Sequence, residues 1–213
     1  MRRGIIALVA LICIVTISCK KDTKREISTL EIYTVQTDGE NYAPDTMAYY
    51  ETTHKKNGMI QKIEFYHSNG KLKGIEKYQY KDSDNLPDES KYYGPDDKLL
   101  SYYVLSYDKK GNKVMSAAYD ASNDELLRRE TFDYDENGFM TAKRIKNAND
   151  ETQRIYTFQN DDKGNELFMT VTNTDGSLVA QERYQITNQD KEGKWIEKYG
   201  IVNDVPKTFH VKK

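Results

Sequence analysis

From Ser28 onward the chain sets Val, Ile, Thr, Tyr and Phe in runs of 5 to 9 residues between clusters of Asn, Asp and Gly. No long stretch repeats its apolar residues every 3.6 positions, so the pattern predicts strands and hairpins rather than helices. The clusters are Asn57-Gly58, Asn69-Gly70, Asp84-Asn85, Asp96-Asp97, Lys110-Gly111, Asn123-Asp124, Asn137-Gly138, Asn149-Asp150, Lys163-Gly164, Asp175-Gly176 and Glu192-Gly193. Gly and Asn tolerate the positive φ that tight hairpins require, which makes each cluster a turn. Alternate turns step from Asn85 to Gly111, Gly138 and Gly164 by 26, 27 and 26 residues, and the other series runs Gly70, Asp97, Asp124, Asp150, Gly176 by 27, 27, 26 and 26. Two interleaved series with one period define a hairpin unit of about 26 residues. An aromatic ladder keeps the same step: Tyr78, Leu105, Phe132, Phe158 and Tyr184, followed two residues on by Tyr80, Tyr107, Tyr134, Asn160 and Ile186. Residues i and i+2 share one side of a strand, so these positions form one stripe, which Val114 and Ala118, then Ile145, then Leu167 and Val171 would complete from the intervening strands. The opposite parity carries Arg129, Asp133, Gln181 and Arg183, a solvated face.

The expected fold is all-β: an antiparallel meander of about 12–14 strands. With about 8 residues per strand (roughly 27 Å) and a spacing of about 4.8 Å, the sheet is over 50 Å wide. Sheets of more than about 10 strands curl or split, so a barrel-like ring and a sandwich stand as alternatives to an extended, twisted sheet. Apart from Tyr there are few large apolar residues to fill a two-sheet core, which favours the extended meander. Residues 27–57 carry strand signals (Leu30, Ile32, Tyr33, Val35; Met47 to Tyr50) but fit the repeat poorly and read as an atypical N-terminal cap to the repeat domain of 58–213.

The N-terminus changes the picture. Arg2 and Arg3 precede an apolar run from Ile5 to Ile17, 13 residues against the roughly 20 needed to cross a bilayer, as in a secretory signal. The end of this run, Thr16-Ile17-Ser18-Cys19, followed by Lys20-Lys21-Asp22, resembles the lipobox of bacterial lipoproteins, with Thr16 where leucine is usual. That resemblance implies cleavage after residue 18, a diacylglyceryl group on the Cys19 sulfur and acylation of its amine, which gives a signal peptide at 1–18 and a lipidated tether at 19–26. Lys20 after the cysteine implies the outer membrane of a Gram-negative envelope, on either its periplasmic or its outer face. Several acyl chains, at about 0.8 kcal/mol per buried methylene, anchor stably where one would not. The segments Tyr107-Asp-Lys-Lys-Gly-Asn and Tyr134-Asp-Glu-Asn-Gly resemble the Tyr-Asp (YD, RHS-like) repeats of bacterial surface proteins, and Phe65-Tyr-His-Ser-Asn-Gly-Lys-Leu-Lys-Gly resembles variant MORN repeats. Both groups supply shells, scaffolds and interaction surfaces.

Composition narrows the chemistry. The 213 residues are 31% charged, with a net charge of −2 and a mean hydropathy of −0.86, which excludes a multi-span membrane protein. Basic and acidic residues are interspersed, without the basic footprint of a nucleic-acid binder. Loss of Arg2 and Arg3 with the signal takes 32 basic residues to 30 against 34 acidic, a mature charge of −4. Of the two cysteines, Cys13 leaves with the signal and Cys19 is lipidated, so no disulfide, cysteine metal site or Cys/His nucleophile is expected. Neither a Gly-x-Ser-x-Gly elbow nor a His-Glu-x-x-His or phosphate-binding loop is present, and no cofactor is expected. Carboxylates of the turn Asn160-Asp-Asp-Lys-Gly-Asn-Glu have a backbone role that outweighs calcium binding. The 17 Tyr remain, mostly as strand residues and core cover. Tyr102 and Tyr103 are adjacent and must face opposite ways; Tyr102, with Tyr66 and Tyr119, is the candidate binding surface. The expectation is a non-catalytic, membrane-anchored binding or scaffold module for an envelope protein or glycan, without nucleic acid. The alternatives are a lipid-anchored hydrolase with an Asp/Glu site and an immunity- or inhibitor-type lipoprotein.

Overall fold

A computed structural model describes residues 24–38, 41–81 and 85–213, so the signal segment 1–18 and Cys19 lie outside the described residues. The runs between turn clusters are all extended. They form β1 (Arg25–Asp38), β2 (Asn41–Lys56), β3 (Met59–His67), β4 (Leu72–Gln79), β5 (Glu89–Tyr93), β6 (Leu99–Tyr107), β7 (Lys113–Asp120), β8 (Leu126–Tyr134), β9 (Met140–Asn147), β10 (Thr152–Asn160), β11 (Glu166–Thr172), β12 (Leu178–Gln189), β13 (Trp195–Val202) and β14 (Val205–Lys212). Each strand pairs antiparallel with its sequence neighbours, as the meander predicts. All eleven turn clusters hold a residue at positive φ, from Asn57 (54°) to Gly193 (76°). A further turn, Asn203-Asp204, has both residues at positive φ and joins β13 to β14.

The extended sheet does not survive. β1 pairs with β14, Leu30 opposite Lys212, Ile32 opposite His210 and Thr34 opposite Thr208, and the fourteen strands close into a barrel. Closure satisfies the backbone groups that an open sheet would expose along two edges. Residues 27–57, read as a cap, supply the β1–β2 hairpin that makes this seam.

The two faces of the ring separate by side chain. Outward positions carry Lys62 and Glu64 on β3, Arg129 and Asp133 on β8, and Arg144 on β9, in ion pairs such as Arg144–Asp133 and Arg129–Asp150. Inward positions hold the predicted ladder, with Phe132 and Val171 buried. A ring of fourteen strands is wider than the eight-stranded barrels that aliphatic side chains can fill, so long side chains are needed inside, which accounts for the richness in Tyr. The inner face is nevertheless not the apolar one expected. Glu76, Glu130, Glu166 and Glu182 point inward with Lys113, Lys143, Lys198 and Lys212, lying opposite inward partners such as Tyr92, Ser116, Asn160, Met169, Tyr107, Phe132, Ile186 and Leu30.

Bulges cause part of this difference. The register slips between Ser106 and Tyr107, which puts Lys113 opposite Tyr107 and leaves Val114 in the bulge. It slips again between Gln159 and Asn160, which puts Glu166 opposite Asn160 and turns Leu167 outward, 38% exposed. Each slip exchanges an expected aliphatic inward residue for a charged one. Ala118, Ile145 and Val171 keep the inward parity predicted for them.

The Tyr-Asp turns lie at the end of the ring where β1 begins. In Asp108–Asn112 the Asp108 Oδ1 accepts the N–H of Lys110 (2.8 Å) and of Asn112 (2.9 Å), and Asp135, Asp161 and Asp190 do the same two and four residues on. The aspartate closes the turn, and in the units at 107–108, 134–135 and 160–161 the preceding residue reaches into the ring, while Gln189 before Asp190 is exposed and donates to Gly193 O. Tyr134 donates its hydroxyl to Lys113 O (2.9 Å), and Asn160, which replaces tyrosine in the fourth unit, donates Nδ2 to Met140 O (2.9 Å). Neighbouring turns also lock: Gly164 lies under the Phe139 ring, where a Cβ would overlap it, and fully buried Asn165 donates to Gly193 O and accepts from Trp195 N–H.

Candidate functional site

Two regions concentrate side chains that can do chemistry or recognition. The first lies inside the ring beneath β11–β14. Lys198 is 5% exposed, with Nζ 3.5 Å from the centroid of the Tyr184 ring, 4.7 Å from that of Trp195 and 3.9 Å from Glu166 Oε2. Lys212 places its ammonium 3.6 Å from the centroid of Trp195. Rings give the buried Lys198 cation, and the more exposed Lys212, an attractive negative face. Burial pushes the Lys198 and Lys212 ammoniums down and the Glu166 carboxyl up; Lys198 opposes the latter effect by its positive charge.

Beside this pair runs a hydrogen-bonded chain. Tyr184 donates its hydroxyl to Glu182 Oε2 (2.9 Å), Thr208 donates to Glu182 Oε1 (3.3 Å), and Thr208 Oγ1 lies 2.9 Å from His210 Nε2. Carboxylate oxygens accept, so the Thr208 hydroxyl is spent on Glu182 and its oxygen accepts from His210 Nε2–H. Burial, then the neighbouring Lys198 charge, lowers His210 to about 4, leaving a neutral imidazole. The order is wrong for nucleophilic catalysis, in which the imidazole must accept the hydroxyl proton and the carboxylate must orient the imidazole. Gly200 makes the chain possible, since a Cβ there would overlap Glu182 Oε1 and Thr208 Oγ1.

Two cavities open off the interior. One of about 290 Å³ is lined by Phe139, Phe158, Asn160, Glu166 and Trp195. The other, of about 250 Å³, lies between β4 and β8 and is lined by Glu76, Tyr78, Ser90, Tyr103, Lys113 and neighbours. No group of three or more His, Cys, Asp or Glu among the described residues is arranged to hold a metal ion. The turn at 160–166 uses Asp161 to bind its own backbone and the Asn165 amide.

The second region is outside. Tyr102 and Tyr119, opposite each other on β6 and β7, stack with centroids 5.1 Å apart and planes 10° apart, and Tyr50 and Tyr66 on β2 and β3 stack at 4.6 Å and 9°. Between the pairs, Tyr93 lies under the Lys77 ammonium at 4.2 Å. The structure thus brings Tyr66, Tyr102 and Tyr119 to one side of the barrel, while Tyr103 turns inward to line the smaller cavity. Sequence reading singled out neither Lys198 nor Gly200, and met Glu166 only as the end of the 160–166 turn. The signal for Gly200 was a glycine inside a strand, where it marks a close approach.

The fold and these faces define an up-and-down β-barrel with a charged, ring-lined interior and an outer face that mixes ion pairs, tyrosines and exposed aliphatic residues. No family model matches the sequence, and no curated protein matches it. Among solved structures it is similar to a porin-like protein from Bacteroides uniformis (12% identity over 88% of this chain and 96% of that one, TM-score 0.39). It is also similar to a porin-like protein from Bacteroides vulgatus (11%, 86% and 96%, TM-score 0.42). A chain of the TcdB2-TccC3-TEV structure matches at 13% identity over 86% of this chain but 11% of its own length, with a TM-score of 0.31. The outer face here does not suit hydrocarbon. Arg129, Asp133 and Arg144 occupy mid-strand outward positions, where arginine or lysine at a bilayer midplane costs about 2–4 kcal/mol each.

Proposed function

We propose that the protein is a lipid-anchored lipoprotein of the bacterial outer membrane, its barrel held in water and serving as a non-catalytic binding or scaffold module for an envelope protein or glycan. The observation that carries this reading is the outward row of Tyr50–Tyr66, Tyr93 and Tyr102–Tyr119, with exposed Leu100 and Val104 beside Tyr102 on the same strand. Tyrosine rings with polar tips suit wet recognition surfaces, and the stacked pairs are already ordered before a partner arrives. Closure leaves no free edge strand among the described residues, so recognition by strand addition is replaced by recognition on a face. Capture from native envelopes with the wild-type barrel should enrich a protein or glycan that a Tyr66→Ala/Tyr102→Ala/Tyr119→Ala variant loses by tenfold or more; equal enrichment by both overturns the reading.

The anchor rests on the Thr16-to-Cys19 motif. The intact mass of membrane-extracted protein should exceed that of residues 19–213 by the acyl groups, and a Cys19→Ala variant should lose them; an unacylated wild-type chain removes the lipoprotein reading. A hydrolase is the second reading, favoured by the desolvated Glu166 in its cavity. Turnover of an envelope glycan abolished by Glu166→Gln would displace the non-catalytic reading.

A further inference from the structure

The ring end where β1 begins carries unbalanced cations on one corner, the open end of the β1–β2 hairpin. Arg25 stands opposite Lys56 and Glu26 opposite Lys55 in the last two rows of the pairing. Glu26, the one acid in these rows, is held by Lys24 at 2.6 Å. Arg25, Lys55 and Lys56 have no carboxylate within 4.0 Å among the described residues. Like charges directly opposite one another destabilise a strand pair, so an anion from outside the chain would relieve the repulsion. An open pocket of about 300 Å³ lies here, lined by these three cations with His54, Ile27 and Gln61. Ile27 is 67% exposed, an apolar side chain on the rim among the cations. This combination suits the boundary between phospholipid headgroups and acyl chains, where phosphates meet the cations and an apolar side chain leaves water.

The place of the corner in the chain and the polarity of the ring agree with this. Six residues separate Arg25 from Cys19. A chain of that length reaches no further than about 20 Å, so a lipid on Cys19 keeps the corner close to the bilayer surface. The opposite end of the ring bears the other charge. Its connections 94–98, 121–125 and 148–151 each carry two acidic residues, with Lys98 the one base among them.

We propose that the β1–β2 corner docks on an anionic phospholipid surface, with headgroup phosphates on Arg25, Lys55 and Lys56 and Ile27 in the headgroup layer. The barrel then stands with its acidic end turned away from the membrane. This docking rests on the Cys19 anchor proposed above: the acyl chains hold the protein at the bilayer, and the corner sets which way it faces. Each cation near an anionic leaflet favours docking about fivefold, so the three together give about a hundredfold in the ratio of docked to free corner.

The test uses the full acylated chain with Gln61→Cys, beside the pocket, labelled with a fluorophore. It is placed in vesicles of phosphatidylcholine alone or mixed with phosphatidylglycerol, each holding a headgroup nitroxide as a short-range quencher. Quenching should rise threefold or more with phosphatidylglycerol and fall back in salt near 1 M, where charge reaches only about 3 Å. A fluorophore on Ser68→Cys, beyond the far end of β3, should stay unquenched. Arg25→Gln/Lys55→Gln/Lys56→Gln, checked for native circular dichroism, should lose the rise. Lys109→Gln/Lys110→Gln, an exposed pair elsewhere on the same rim, should keep it. A chain that does not stay on phosphatidylcholine vesicles fails at the anchor and takes the docking with it. In an anchored chain, a probe at position 61 indifferent to phosphatidylglycerol, equal quenching at position 68, or an equal loss in the Lys109/Lys110 variant overturns the docking alone.

Discussion

Gly200→Ala is expected to lower the unfolding free energy by about 2–4 kcal/mol. The backbone there is ordinary strand, so the penalty comes from space alone: the new methyl overlaps Glu182 Oε1 and Thr208 Oγ1. Overpacking of this kind costs about 1–3 kcal/mol, and displacing the carboxylate from Thr208 and Tyr184 adds the loss of part-buried hydrogen bonds, about 1 kcal/mol. Urea unfolding should show a lower midpoint with an unchanged slope. Glu182→Ala in the same chain removes the group that clashes, so the double variant should be more stable than the sum of the single losses predicts. Additive losses, or a change below about 0.5 kcal/mol for Gly200→Ala, would show that the Glu182–Thr208 chain does not depend on the glycine.

Acid should weaken the barrel through His210. Its folded value of about 4 lies below the ordinary 6.5, because burial and then the Lys198 charge disfavour the imidazolium. As pH falls the unfolded chain takes up this proton first, so the stability associated with the neutral ring is complete above pH 6.5 and is lost between 6.5 and about 4. A gap of about 2.5 pKa units at 1.36 kcal/mol each corresponds to about 3 kcal/mol. Glu166 acts in the other direction, since its raised value means that the fold holds a proton more tightly than the unfolded chain does. Comparing wild type with His210→Gln therefore isolates the histidine: the variant should be less sensitive to pH between 4 and 6.5. Parallel curves would mean that the ring is solvated or already charged.

The repeat period, the turns and the outward charges were readable along the chain because each depends on a few consecutive residues. Asn57, Asp97 and Gly138 have positive φ because the two-to-five-residue connection between strands demands it, and that demand is local. The alternation that sends Tyr103 inward and Tyr102 outward is local for the same reason. The Tyr-Asp pair is local too, since its aspartate binds N–H groups two and four residues ahead.

Parity failed where a bulge intervened. Val114 and Leu167 have the spacing of inward residues, and one extra residue in each strand gives their places to Lys113 and Glu166. Those two charges define the two cavities, so the candidate interior sites were hidden with them. His210 and Lys198 were hidden differently: they face each other across β13 and β14, and their burial comes from strands that the period does not connect.

The amino-acid pattern by itself determined an all-β chain of hairpins with a period near 26 residues, the positions of its turns, the charged outer parity and the Thr16-to-Cys19 motif. The tertiary structure decided that β1 meets β14, and with that which face is enclosed and which charges lie out of water. Turn and strand preferences are set by neighbours along the chain. Closure is set by the twist and bulges summed over fourteen strands, whose result no single segment contains.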